Sequence, residues 1–194
     1  IPSASFDIVT IDNREAVYQG VRLLLEAGHR EIGLITCPEC VKRGMGRLDG
    51  YIKCLREHGL PLQETYIYRG EFDEKSGYEA CRKFFSLPNP PSAVLATCSS
   101  ATLGCLRYLN ERRLTPGEDI GLVGFDDISL LSSLGYQITM LDRPIREMGE
   151  AAFAILEQRL TGGGGGRRKR KVLLDTRVIL RGSEGRVPAQ ALPC

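Results

Sequence analysis

Ile120-Gly121-Leu122-Val123-Gly124-Phe125-Asp126-Asp127 is a short apolar run that ends abruptly on two carboxylates. Pro116-Gly117 turns the chain before it and a Ser/Leu-rich loop follows. A run of this kind, apolar at successive positions instead of alternating, fits a strand of a parallel sheet covered by helices on both faces. In open α/β sheets, ligands sit beyond the carboxyl ends of the strands. Asp126 and Asp127 therefore fall where a small molecule would bind.

Working outward, apolar runs alternate with helix-period segments. Phe6–Ile11 reads as a strand. Asp12 reads as an N-cap with Glu15 at capping-box spacing, and Val17, Val21, Leu24 and Leu25 share the face of the helix that Gly28 ends. Ile32–Thr36 is a second strand; Leu48, Tyr51, Ile52 and Leu55 then stand at helical spacing, closed by Gly59 and Pro61. Tyr66–Gly70 is a strand, Asp73 caps a helix burying Tyr78, Cys81 and Phe85, and Pro88–Pro91 stops it. Ala93–Thr97 is a strand, and Leu103, Leu106 and Leu109 mark the next helix. The expected fold is α/β, a doubly wound parallel sheet with right-handed crossovers. Its strand ends would gather Asp12, Thr36-Cys37, 70–72, 97–99 and Asp126-Asp127 along one edge. Beyond these come a strand Gln137–Asp142, a helix from Pro144 to about Leu160, the glycines 162–166 with the basic run 167–171, and a strand Val172–Leu180.

At 194 residues, 42% hydrophobic and 26% charged, the chain can bury a core without disulfides or metal. The net charge of +2 points to no particular partner, and the basic run 167–171 reads as part of a solvated loop, with contact to an anionic surface as the rival reading. Seven cysteines lie mostly inside predicted elements, which suits free thiols in a reducing cytoplasm. No apolar run approaches the roughly 20 residues of a membrane span, and IPSASFD lacks the character of a signal peptide. An opening Ile1 suggests a natural N-terminus further upstream. Cys37-Pro38-Glu39-Cys40 has the spacing of a redox pair, but no second pair or His cluster accompanies it. No phosphate loop, nucleophile elbow or His-based acid–base pair is present, so no enzyme is expected. His29 and His58 are expected at the surface near helix ends.

Gly28-His29-Arg30-Glu31-Ile32-Gly33-Leu34-Ile35, Arg47-Leu48-Asp49-Gly50-Tyr51, Ser76-Gly77-Tyr78-Glu79-Ala80, Pro91-Ser92-Ala93-Val94 and Val123-Gly124-Phe125-Asp126-Asp127 occur in an order and spacing that resembles the lactose-repressor/galactose-repressor family of transcription regulators. The resemblance covers about residues 6–181. It implies a periplasmic-binding-protein-like (type I) lobe plus part of a second, closing on a sugar-like or nucleoside-like effector. By that resemblance, 1–11 is a remnant strand of an amino-proximal lobe and 12–134 the carboxyl-proximal effector-binding lobe. Residues 135–161 return to the amino-proximal lobe, 162–171 form a loop, 172–181 the final strand and 182–194 a disordered tail. Apolar groups that would meet missing strands (Phe6, Ile8, Ile138, Met140, Ile145, Met148, Ile155) are expected to face water and promote self-association.

The same resemblance implies that Arg47 contacts the effector through paired N–H donors, that Asp126 accepts from ligand hydroxyls, and that Phe72 stacks on a ring. The bland readings are a solvated helix-start arginine, a loop cap and a core aromatic. Cys98-Ser99 stands where many relatives carry Asn-Asp; a thiol replaces the amide poorly, which points to a different effector or a weakened site. Asp12 lies at the first lobe crossing, with capping as its simpler role; Asp127 reads as structural. Subunit contacts are implied around Asp73, Ser76, Gly77, Thr102, Leu106, Leu130 and Leu131. The expected partners are a small effector, a second copy of the chain, and operator DNA only through an N-terminal domain; no cofactor, metal or membrane is expected. A transporter solute-binding protein and a truncated regulator fragment without ligand activity are the alternatives.

Overall fold

The computed structural model describes residues 6–38, 42–161 and 169–185. The readings of Cys40, of 162–168 and of 186–194 lie outside the described residues. In chain order the elements are β1 (Ile8–Ile11), α1 (Asn13–Glu26), β2 (Ile32–Thr36), α2 (Lys42–Glu57), a 3-10 turn (Glu64–Tyr66), β3 (Ile67–Arg69), α3 (Glu74–Phe84) and β4 (Ala93–Ala96). They continue with α4 (Ser99–Glu111), β5 (Gly121–Phe125), α5 (Ser129–Ser133), β6 (Thr139–Asp142), α6 (Ile145–Leu160), β7 (Lys171–Leu174) and β8 (Arg177–Ile179).

The main sheet has the order β3-β2-β4-β5-β6-β8. Its first five strands run parallel and β8 pairs antiparallel with β6 at the edge. Successive strand residues take opposite faces, which explains the unbroken apolar runs. Leu34, Leu95, Val123 and Leu141 pack with Val17, Val21, Leu24, Tyr51 and Leu55 of α1 and α2. Their neighbours Ile35, Val94, Leu122 and Met140 pack with Cys81, Phe84, Cys105 and Leu109 of α3 and α4. Gly124 lies where a β-carbon would come within 2.4 Å of Met140 Sδ and 2.8 Å of Thr102, so the strand tolerates nothing larger.

Helix starts follow their capping residues. Asp12 Oδ1 accepts the N–H groups of Arg14 and Glu15, both at 3.0 Å, and Asp73 Oδ1 accepts that of Ser76 at 2.8 Å. Glu15 bonds Gln19, not the cap.

Several expectations change. Phe84, not Phe85, is the fully buried aromatic of α3, and Leu103 of α4 is exposed. The segment expected as one strand over Val172–Leu180 splits at Asp175-Thr176: β7 pairs parallel with β1 and β8 joins the main sheet, so the chain changes sheets there. The stretch 135–161 is likewise divided, because β6 belongs to the main sheet while α6 packs on β1. Ile138 and Met140 are therefore core residues and Ile155 is also buried, whereas Phe6, Ile8 and Ile145 are exposed, joined by Phe153, Leu156 and Leu160. Residues 182–185 are ordered against β5 and β6: Ser183 is buried, its hydroxyl donates to the Leu122 carbonyl, and Leu122 N–H donates to the Ser183 carbonyl at 2.7 Å. His29 is buried as well, held between Ser92 Oγ at 2.9 Å and the Glu184 carbonyl at 2.8 Å, and burial pushes its pKa down. His58 is exposed, with Nδ1 2.8 Å from the Cys54 carbonyl.

Candidate functional site

The carboxyl ends of the parallel strands converge on Arg47. The sheet reverses direction between β2 and β4, the place where open α/β sheets leave a crevice. Arg47, in α2, spans this crevice. It is 3% exposed; its Nε donates to Asn13 Oδ1 at 3.1 Å and its Nη1 to the Thr97 carbonyl at 2.5 Å. The guanidinium lies over the rings of Phe125 (4.5 Å) and Phe72 (5.7 Å). Burial lowers its pKa to about 10 while Asp126 opposes the shift, so it stays charged at neutral pH.

Asp126 follows β5 with φ at 65°, a left-handed conformation that Asp tolerates better than most residues. Its carboxylate forms a two-pronged pair with Arg143, Nε to Oδ1 at 2.5 Å and Nη2 to Oδ2 at 2.8 Å. Asp127 is held by Arg181 at 2.7 and 2.9 Å, bonds that lower its pKa and tie the end of β5 to the segment after β8. Cys98 serves as N-cap of α4, its sulfur accepting the Ala101 N–H at 3.4 Å; burial raises the thiol pKa. Ser99 opens that helix, half-buried at the same edge. Phe72 stands half-exposed, not in the core. Asp12 is occupied as the α1 cap. Thr36, which closes β2, buries a hydroxyl with no partner among the described residues.

A cavity of about 250 Å3 opens between β1 and this edge, lined by Ile8–Ile11, Asn13, Arg47, Arg143 and Met148. A larger hollow of about 650 Å3 lies at the opposite, amino ends of the strands, among Pro116–Glu118, Gln137-Ile138 and Arg181–Ser183. Despite its size, it is on the wrong edge of the sheet for the crevice rule, so the smaller cavity is the candidate site. Asn13, Phe125 and Arg143 escaped the sequence reading. Arg143 directly follows the strand ending at Asp142, and the strand-end rule that selected Asp126 would have selected it too.

The residues expected at a subunit contact separate into two groups. Asp73 and Leu130 are exposed. Ser76, Gly77, Thr102, Leu106 and Leu131 are buried within the chain, so they cannot present a surface to a partner. For the four on α3 and α4 the cause is the close crossing of those helices, where a β-carbon on Gly77 would lie 2.1 Å from the Ala101 carbonyl oxygen, while Leu131 of α5 packs into the core cluster.

Residues 21–184 match the periplasmic binding protein-like domain. The chain is 34% identical over 187 residues to the HTH-type transcriptional repressor CytR of Escherichia coli K12, covering 96% of this chain and 54% of that protein. The chain belongs to the periplasmic-binding-protein-like family of LacI-type regulators. A LacI-family regulatory protein from Chloroflexus aggregans has the same fold, with a TM-score of 0.85 and 29% identity over 95% of this chain and 66% of its own. The transcriptional regulator CelR, solved as a cellobiose complex, gives 0.84 and 30% over 94% and 55%. The chain spans about half the length of the curated relatives it matches. No helix among the described residues is long and apolar enough to cross a membrane.

Proposed function

We propose that this chain is the effector-sensing part of a LacI-type transcription regulator, with the Arg47 cavity as its small-molecule site. One observation carries the reading: a buried arginine at the strand-order reversal lines a cavity, in a chain similar to a regulator solved with cellobiose. Effector binding between β1 and the strand ends shifts the balance of two arrangements only through different affinity for each. In a regulator that balance would set the placement of DNA-reading heads of the helix-turn-helix kind named in CytR, and pairing of subunits would match them to paired half-sites. The exposed Asp73, Leu103 and Leu130 suit such a subunit contact.

The test is thermal unfolding against sugars, sugar phosphates and nucleosides. A ligand at one hundred times its Kd stabilises by about 2.7 kcal/mol, roughly 5–10 °C here. A shift of that order, abolished by Arg47→Ala and Asp126→Ala, supports the reading. No shift with any compound overturns it.

A further inference from the structure

We infer that the Arg47 cavity is built for a small ligand carrying an oxyanion, such as a phosphate monoester, with Arg143 as the residue that sets this preference. The inference rests on the effector-site reading above and adds the ligand's charge class.

A guanidinium carries five N–H donors. Arg47 spends one on Asn13 and one on Thr97; Arg143 spends two on Asp126. Three N–H groups on each therefore have no acceptor among the described residues and stay available to a ligand. Among the described residues no Arg47 nitrogen is both buried and unpaired, so its unused Nη2 group is within reach of a ligand oxygen that can accept from it. Acceptors are scarce by contrast. Among the lining side chains the acceptors are Asn13 Oδ1, which already serves Arg47, and the Thr10 hydroxyl, which donates to the Ile11 carbonyl; outside the lining, each Asp126 oxygen takes one N–H of Arg143. The charges do not cancel either, since Arg47 and Arg143 face the single carboxylate of Asp126.

A neutral sugar suits such a lining poorly. Each of its hydroxyls donates as well as accepts, and open side-chain acceptors are few beside the six unused N–H groups of Arg47 and Arg143. An oxyanion only accepts, and its oxygens match the planar fork of a guanidinium. The volume of about 250 Å3 lies below the usual 300–1,000 Å3 of ligand sites, which limits the occupant to about the size of a pentose phosphate.

The experiment is calorimetric titration of the full chain with inorganic phosphate, ribose and ribose 5-phosphate at low and high salt, repeated with Arg143→Gln. Circular dichroism verifies that the variant is folded. Ribose 5-phosphate is expected to bind at least tenfold more tightly than ribose, to be displaced by inorganic phosphate and to weaken with salt. Arg143→Gln should remove most of that ratio. Ribose binding as well as or better than its phosphate, or a ratio unchanged in Arg143→Gln, overturns the inference while leaving an effector site in place. Silence of all three probes, with another neutral compound stabilising the chain in the thermal panel, overturns it in the same way. Silence of every compound in both experiments removes the effector site as well.

Discussion

Gly104→Ala probes whether the α3–α4 crossing is an internal contact or a face reserved for a partner. A β-carbon at Gly104 would sit 2.0 Å from the Glu74 carbonyl oxygen and 2.7 Å from the Tyr78 nitrogen. Both atoms are backbone, so relief requires the two helices to separate by more than an ångström. Overpacking of a well-packed contact costs about 1–3 kcal/mol, and a clash with backbone belongs at the upper end. Alanine returns about 1 kcal/mol of helix propensity, leaving a net loss of about 2 kcal/mol. For a chain of this length that lowers Tm by about 4–8 °C. Gly149→Ala is the matched control. It lies in α6 with nothing within 4 Å of the added carbon, so only the propensity gain remains and Tm should rise by about 2 °C. Both variants and the parent are melted by differential scanning calorimetry over a hundredfold range of protein concentration. An internal crossing makes the Gly104→Ala penalty independent of concentration, whereas a contact between subunits makes it vary by mass action. Equal stability of the two variants, or a penalty that vanishes on dilution, would refute the packing described for α3 and α4.

Arg47→Ala should cost about 2–4 kcal/mol in urea unfolding, because Asn13 Oδ1 and the Thr97 carbonyl lose their donor while a cavity opens; a loss under 1 kcal/mol contradicts the burial of that guanidinium. His29 has a lowered pKa, so the unfolded chain binds the extra proton first. Stability from this group is complete above about pH 6.5 and declines as pH falls through that value toward the lower folded pKa. His29→Gln should flatten the slope of unfolding free energy between pH 7 and 5, and an unchanged slope counts against the buried neutral imidazole. Asp7 accepts from Arg159 and from the Arg170 N–H, which hold its pKa at about 2. Its tether between β1, α6 and the start of β7 is then present above about pH 4 and lost as pH falls toward 2. The protection of the Arg170 amide, measured against its intrinsic exchange rate at each pH, should fall across that window, and Asp7→Asn should show the low protection at neutral pH. The exposed Phe6, Ile145, Phe153, Leu156 and Leu160 predict self-association in sizing chromatography; a clean monomer at high concentration would count against it.

The alternation of strands and helices was legible in the chain because each signal is local. Apolar runs such as Ile32–Thr36, caps such as Asp12 and Asp73, and turn residues such as Gly28 and Pro116-Gly117 act within a few residues of themselves. Ile120–Asp127 likewise announced a strand ending on carboxylates. Strand ends in a parallel sheet share one edge by topology alone, which gathers Phe72, Cys98 and Asp126 from the chain, whereas Arg47, inside α2, is picked out only by the family resemblance. What each carboxylate and guanidinium binds depends on distances across that edge, which no local pattern encodes. The tertiary structure alone pairs Asp126 with Arg143 and Asp127 with Arg181, commits the Cys98 sulfur to the α4 cap, and buries His29 under Glu184. It also turns Gly77 and Thr102 inward, because the near absence of side chains at Gly77 and Gly104 lets α3 and α4 approach to backbone contact. Sequence periodicity reports which face of an element is apolar. Only the packed chain decides whether that face meets its own sheet, a neighbouring helix or open solvent.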